Sequence, residues 1–180
     1  TNTMVGVLIR FRKFKYAIMC DIEKMFHQFK VPENDQDYLR FLWWEKPHTS
    51  LQYPTEYRMT VHLFGATSSP GCANCGLKTV AVDQAAEGQE TAENFLSRNF
   101  YVDDGLVSFK TIQEAKKLIS DARDICSKGG LRLHKFASNC KDILQDLPES
   151  EKAEDSTDKK FTESSANRVL GVQWSISEDA

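Results

Sequence analysis

Three aspartates stand where apolar strands give out. Asp21 follows Tyr16, Ala17, Ile18, Met19 and Cys20, while Asp103 and Asp104 separate Phe100, Tyr101 and Val102 from Leu106, Val107, Ser108 and Phe109. Carboxylates gathered at one place repel unless they are protonated or a cation neutralises them. Hard oxygen ligands of this kind suit Mg2+ or Mn2+, and two such ions about 4 Å apart are the machinery of in-line phosphoryl transfer. The same residues also make ordinary turn chemistry, with Asp103, Asp104 and Gly105 closing a hairpin and Asp21 ending a strand.

Other residues with chemical potential are less specific. Cys72 and Cys75 form a Cys-x-x-Cys on an expected helix, but no second well-spaced pair completes a tetrahedral zinc site. They are expected to be core residues of that helix. His27, His48, His62 and His134 lack a paired metal-ligand spacing, and none is assigned to a metal. Phe41, Trp43 and Trp44 could stack on a template base, although packing within their own segment, or cover by further strands, is the expected role.

For Asp21 to meet Asp103 and Asp104, their strands must be neighbours. Residues 16–20 read as a buried strand, 39–44 as an aromatic-rich strand, and 57–63 as a half-buried strand with strict alternation. Residues 64–70 form a loop, after which Ser69 as N-cap and Pro70 at the first helical position start a helix that runs to about 87 and stops at Gly88. A short helix over 91–98 leads into the acidic hairpin. Thr111 and Glu114 make a capping box for a helix carrying Ile112, Ala115, Leu118, Ile119, Ala122, Ile125 and Cys126 on one face. Gly129 and Gly130 end it before a strand over 131–136, and a last strand is expected over 168–174.

Setting aside an inserted segment at about 23–68, the order is strand, helix, strand, strand, helix, strand. That is the split β-α-β order of a ferredoxin-like α+β sheet with both helices on one face. The expected organisation is a palm-like unit over 1–174, an acidic loop at about 146–163 and a tail over 175–180.

Composition narrows the partners. The chain has 180 residues, 23 Lys+Arg against 26 Asp+Glu, a net charge of −3 and 41% hydrophobic content, enough for a packed core. No run approaches the roughly 18 apolar residues of a membrane span, and the first residues lead into Arg10, Arg12, Lys13 and Lys15, the wrong order for a signal peptide. Five scattered cysteines suit a reducing compartment. Nucleic acid, as a partner, has to be argued from a site and not from bulk charge.

The flanking residues resemble those of a known family. Tyr101, Val102, Asp103 and Asp104 resemble the catalytic hairpin of reverse transcriptases. Asp21, Ile22, Glu23, Lys24, Met25 and Phe26 resemble their first catalytic motif, in which an aromatic follows the aspartate by five residues. Leu63, Phe64 and Gly65, with Pro70 downstream, resemble the nucleotide-facing loop; Leu63 stands where a proline is common and Phe64 where many retroviral enzymes have glutamine. Gly129, Gly130, Leu131 and Lys135 resemble the motif that follows the catalytic hairpin, and Leu170, Gly171 and Trp174 the primer grip. Order and spacing, with the run Arg40, Phe41, Leu42, Trp43 and Trp44, are most similar to the Bel/Pao class of long-terminal-repeat retrotransposons.

The resemblance implies a fold, a polymerase palm with partial fingers, and an activity, RNA-directed DNA polymerisation with two Mg2+ or Mn2+ ions. It implies that Asp21, Asp103 and Asp104 hold the metals and that Lys135 gives a proton to the pyrophosphate leaving group. Backbone N–H groups of Ile22, Glu23, Lys24 and Met25 would face the triphosphate. Phe26 would lie under the sugar, and Phe64, Gly65 and Tyr101 would complete the nucleotide site. The implied partners are an RNA/DNA template-primer, a dNTP and the protease, ribonuclease H and integrase segments of a Pol polyprotein, with no membrane. The implied place is intracellular, in the cytoplasm or a virus-like particle. The basic fingers strands, the thumb and ribonuclease H are expected outside these 180 residues. The alternative is a decayed palm without polymerase activity, acting as a binding or scaffold module.

Overall fold

The computed structural model describes residues 2–11, 13–45, 53–153, 167–169 and 172–174, the last two stretches by backbone alone. Helix α1 (Met4–Phe11) precedes β1 (Tyr16–Ile22), and a 3-10 turn (Met25–Gln28) and short α2 (Glu33–Gln36) follow. The ribbon β2 (Arg40–Trp43) and β3 (Thr55–Arg58) leads to α3 (Ser69–Gln84) and α4 (Glu90–Arg98). Then come β4 (Phe100–Tyr101), β5 (Asp104–Phe109), α5 (Ile112–Lys128) and β6 (Leu133–Ser138), with a hairpin of β7 (Asn167–Val169) and β8 (Val172–Trp174) at the end.

The main sheet has the order β4-β5-β1-β6 with antiparallel neighbours throughout. Strand alternation sorts its side chains between two cores. Ile18, Cys20 and Ile22 of β1 join Leu77 of α3, Leu96 of α4 and Leu118 and Ile125 of α5 on one face. Ala17 and Met19, with Leu106 and Ala137, meet Val7 and Phe11 of α1 on the other. The expectation that helices cover a single face therefore misses α1, whose eight residues give too short a pattern to read as a buried stripe. Asn2 fastens this helix by donating from Nδ2 to the carbonyls of Ser97 and Phe100.

α5 forms as its sequence dictates: the Thr111 hydroxyl accepts from the Glu114 N–H, and the Glu114 carboxylate accepts from the Thr111 N–H. At α3 the details shift. The helix already includes Ser69, whose hydroxyl lies 3.4 Å from His62 Nδ1 and does not cap, and it ends at Gln84. Its buried face is Ser69, Ala73, Asn74, Leu77 and Ala81. Gly76 belongs to it too, for an added Cβ would collide with the Phe29 ring. Cys72 and Cys75 consequently face outward, which corrects the expectation that they are core residues.

The strand expected over 57–63 is also displaced. Only Thr55–Arg58 pairs, with β2, and Val61 makes an isolated bridge to Lys30. Every residue of β2 and β3 is exposed, Trp43 by 67%, and Phe41 stacks on Tyr57 across the ribbon with ring centroids 5.8 Å apart, which is packing within their own segment. Arg12, His48, most of the acidic loop, Leu170, Gly171 and the tail lie outside the described residues.

Candidate active site

The register of β1 on β5 pairs Asp21 with Asp104 and Cys20 with Gly105. Cross-strand partners point to the same face. For these two acids it is the face carrying Met19 and Leu106, away from α3 and α5. Asp103 lies in the turn beside them, its carbonyl accepting from the Ile22 N–H at 3.0 Å. The turn is Val102 and Asp103, so Asp104 belongs to β5 and not to the loop. A two-residue connection whose twist matches the strands needs left-handed backbone, and Val102 adopts it with φ 57°. For a β-branched residue that is a strained conformation of the kind that clusters at functional sites.

Gly105 is required for a different reason. The Phe100 ring lies across its Cα, and a Cβ there would collide with the ring. Phe100 is fully buried, so the acidic turn is seated on a rigid aromatic.

On the opposite edge of β1, Met19 pairs with Ala137 and Asp21 with His134, leaving Cys20 facing both Lys135 and Phe136. That is a β-bulge, with Lys135 left-handed at φ 50°. His134 Nε2 lies 2.7 Å from Asp21 Oδ1, and Lys135 Nζ lies 3.5 Å from Asp21 Oδ2. Burial, above all, holds the Asp103 carboxyl above the usual carboxylate range; the charge of Asp21 adds to this, while its own backbone N–H and Lys135 oppose it.

The loop after β1 turns on left-handed Lys24. Glu23 ties it to β6: its N–H donates to the Arg132 carbonyl, and its carboxylate accepts from the Arg132 guanidinium at 2.9 Å, which lowers its pKa. The Ile22 and Glu23 amides are thus already bonded within the protein, and of the four amides expected to face a triphosphate those of Lys24 and Met25 are the ones left as candidates. Met25 and Phe26 are buried. Phe26 lies edge-on beneath Phe64, with ring centroids 4.8 Å apart, and Phe64 is 66% exposed. Gly65 has φ 86° and open space around it. Tyr101, the partner of Asp104, leans on the cluster of Val7, Phe11 and Leu106.

The structure brings Asp21, Asp104, Asp103 and Lys135 to one end of the sheet and Phe26 against Phe64. Trp174 lies in β8, paired with Asn167. His134 was missed: its pairing with Asp21 follows from a bulge that the sequence does not announce, and the one available signal was its place beside Lys135. The donor set suits a hard divalent cation by chemistry. By position it does not yet form a cradle, because among the described residues no three Asp, Glu, His or Cys side chains come together closely enough to hold an ion.

No protein-family model matches the chain, and no curated protein sequence does. Among solved structures, it is similar to the foamy viral protease-reverse transcriptase in complex with an RNA/DNA hybrid, with a TM-score of 0.56 and 19% identity over 74% of this chain. The matched region spans 15% of that longer protein. At this identity the likeness shows the fold: the chain has a reverse-transcriptase-like, α+β polymerase-like fold.

Proposed function

We propose that the chain is the palm, with part of the fingers, of an RNA-directed DNA polymerase of the Bel/Pao retrotransposon type. The observation that carries this reading is the β1–β5 register, which sets Asp21 against Asp104 with Asp103 in the adjoining turn. The strand order β4-β5-β1-β6 supports a split β-α-β, ferredoxin-like palm.

In this reading Asp21, Asp103 and Asp104 would hold two Mg2+ or Mn2+ ions, which would supply charge neutralisation for nucleotidyl transfer to a primer end. The Lys24 and Met25 amides bind the triphosphate of a dNTP, Phe26 and Phe64 form an aromatic floor under its sugar, and Gly65 and Tyr101 border the same site. Lys135 holds the proton that the departing pyrophosphate requires. Leu170, Gly171 and Trp174 form the primer grip. The template-primer is RNA/DNA, the other partners are the protease, ribonuclease H and integrase segments of a polyprotein, and the site of action is the cytoplasm or a virus-like particle.

The test is template-dependent dNTP incorporation on an RNA-templated DNA primer with Mn2+. Asp103→Asn is expected to abolish incorporation with the circular dichroism spectrum unchanged; equal extension by variant and parent contradicts the reading. The second reading, a palm that binds nucleic acid without polymerising, is favoured by the engagement of both Asp21 oxygens by His134 and Lys135. Retained duplex binding with no incorporation by the parent would select it.

A further inference from the structure

In an unbroken β6, successive side chains would alternate between faces, and only one of His134 and Lys135 would reach the face that carries Asp21. The bulge defeats that alternation. Leu133 and Phe136, three residues apart, both enter the core under α5, while His134 and Lys135 both reach the Asp21 carboxylate, one at each oxygen. This costs a left-handed backbone at a residue with a Cβ, an unfavourable conformation that persists only where the surrounding contacts impose it. Neither partner of Asp21 in these two contacts is one of the other two aspartates.

Resting on the polymerase reading, we infer that His134 and Lys135 form a clamp that competes with a divalent cation for Asp21. In the resting chain the clamp holds the carboxylate; to join Asp103 and Asp104 around an ion, the carboxylate leaves it. His134 is then a positioning residue acting through Asp21, and the clamp makes cation affinity lower than the three acids alone would give.

The test is Mn2+ binding to the whole chain, followed by electron paramagnetic resonance of free Mn2+, with no nucleotide or primer. His134→Ala is expected to bind Mn2+ about tenfold more tightly than the parent, since a hydrogen bond to a charged group is lost from the competing state. Lys135→Ala, whose side chain is 61% exposed, serves if the first variant misfolds, and is expected to tighten binding about threefold. His134→Gln, which keeps a donor, is expected to stay near the parent. Arg132→Ala removes a nearby cation bound to Glu23, not to Asp21, and is expected to change little. A parent that binds Mn2+ while His134→Ala binds it equally or more weakly overturns the clamp alone. So does tightening by Arg132→Ala as large as that by His134→Ala, which would make the effect one of bulk charge. Absence of saturable binding in the parent and in both clamp variants removes the metal-site reading and the clamp with it.

Discussion

Asp21 and Asp104 are cross-strand partners on β1 and β5, a pairing of two acids that a sheet disfavours when both are charged. Asp103 adds a third acid in the next turn, and its carboxyl is held above its ordinary range, first by burial and then by Asp21.

Asp103→Asn is therefore expected to make the protein more stable. An acid whose pKa is raised on folding binds protons more tightly in the native state, so its contribution is favourable at low pH and is lost as pH rises through the carboxylate range. The variant's advantage in urea denaturation should be largest at neutral pH and shrink towards pH 3, where both side chains are neutral. Asp103 retains some contact with solvent, which keeps the gain modest. A variant less stable than the parent at neutral pH would contradict this electrostatic account.

Gly105→Ala should destabilise the chain by about 1–3 kcal/mol, because the added methyl meets the buried Phe100 ring. Phe100→Leu in the same background should recover part of the loss, and a double-mutant cycle on urea midpoints measures the coupling. Additive losses would show that the ring and the glycine do not meet.

Thiol reactivity should separate the cysteines. Cys72 and Cys75 are exposed on α3 and should react with Ellman's reagent in the native state, with partly buried Cys140 slower. Burial pushes the Cys126 thiol up to about 12, and Cys20 is raised by burial first, then by Cys126, Asp21 and Asp104. Both should stay silent until urea unfolds the chain. Rapid native labelling of Cys20 would mean that β1 is not central in the sheet.

Periodicity reached the helices best. The seven apolar positions of α5 and its capping box form the face and the cap that the residues imply, because both signals are local. The acidic hairpin was legible for the same reason, though the turn fell one residue early: Val102 takes the left-handed position that turn propensities would give to Asn, Asp or Gly. Cys72 and Cys75 were misplaced because the burial of α3 is set by the small residues Ala73 and Ala81 and by Phe29 against Gly76, which carry little hydrophobic signal. The pairing of His134 with Asp21 was out of reach, since it depends on a register shift between two strands more than 100 residues apart in sequence.

The central claim is that Asp21 and Asp103 share one divalent cation. Anomalous diffraction at the manganese edge, from crystals of the chain grown with an RNA/DNA template-primer and Mn2+, tests it most directly. The account predicts a peak at about 2.1 Å from a carboxylate oxygen of each residue. Manganese bound only elsewhere, with Asp21 still paired to His134 while the primer end occupies the site, would contradict it.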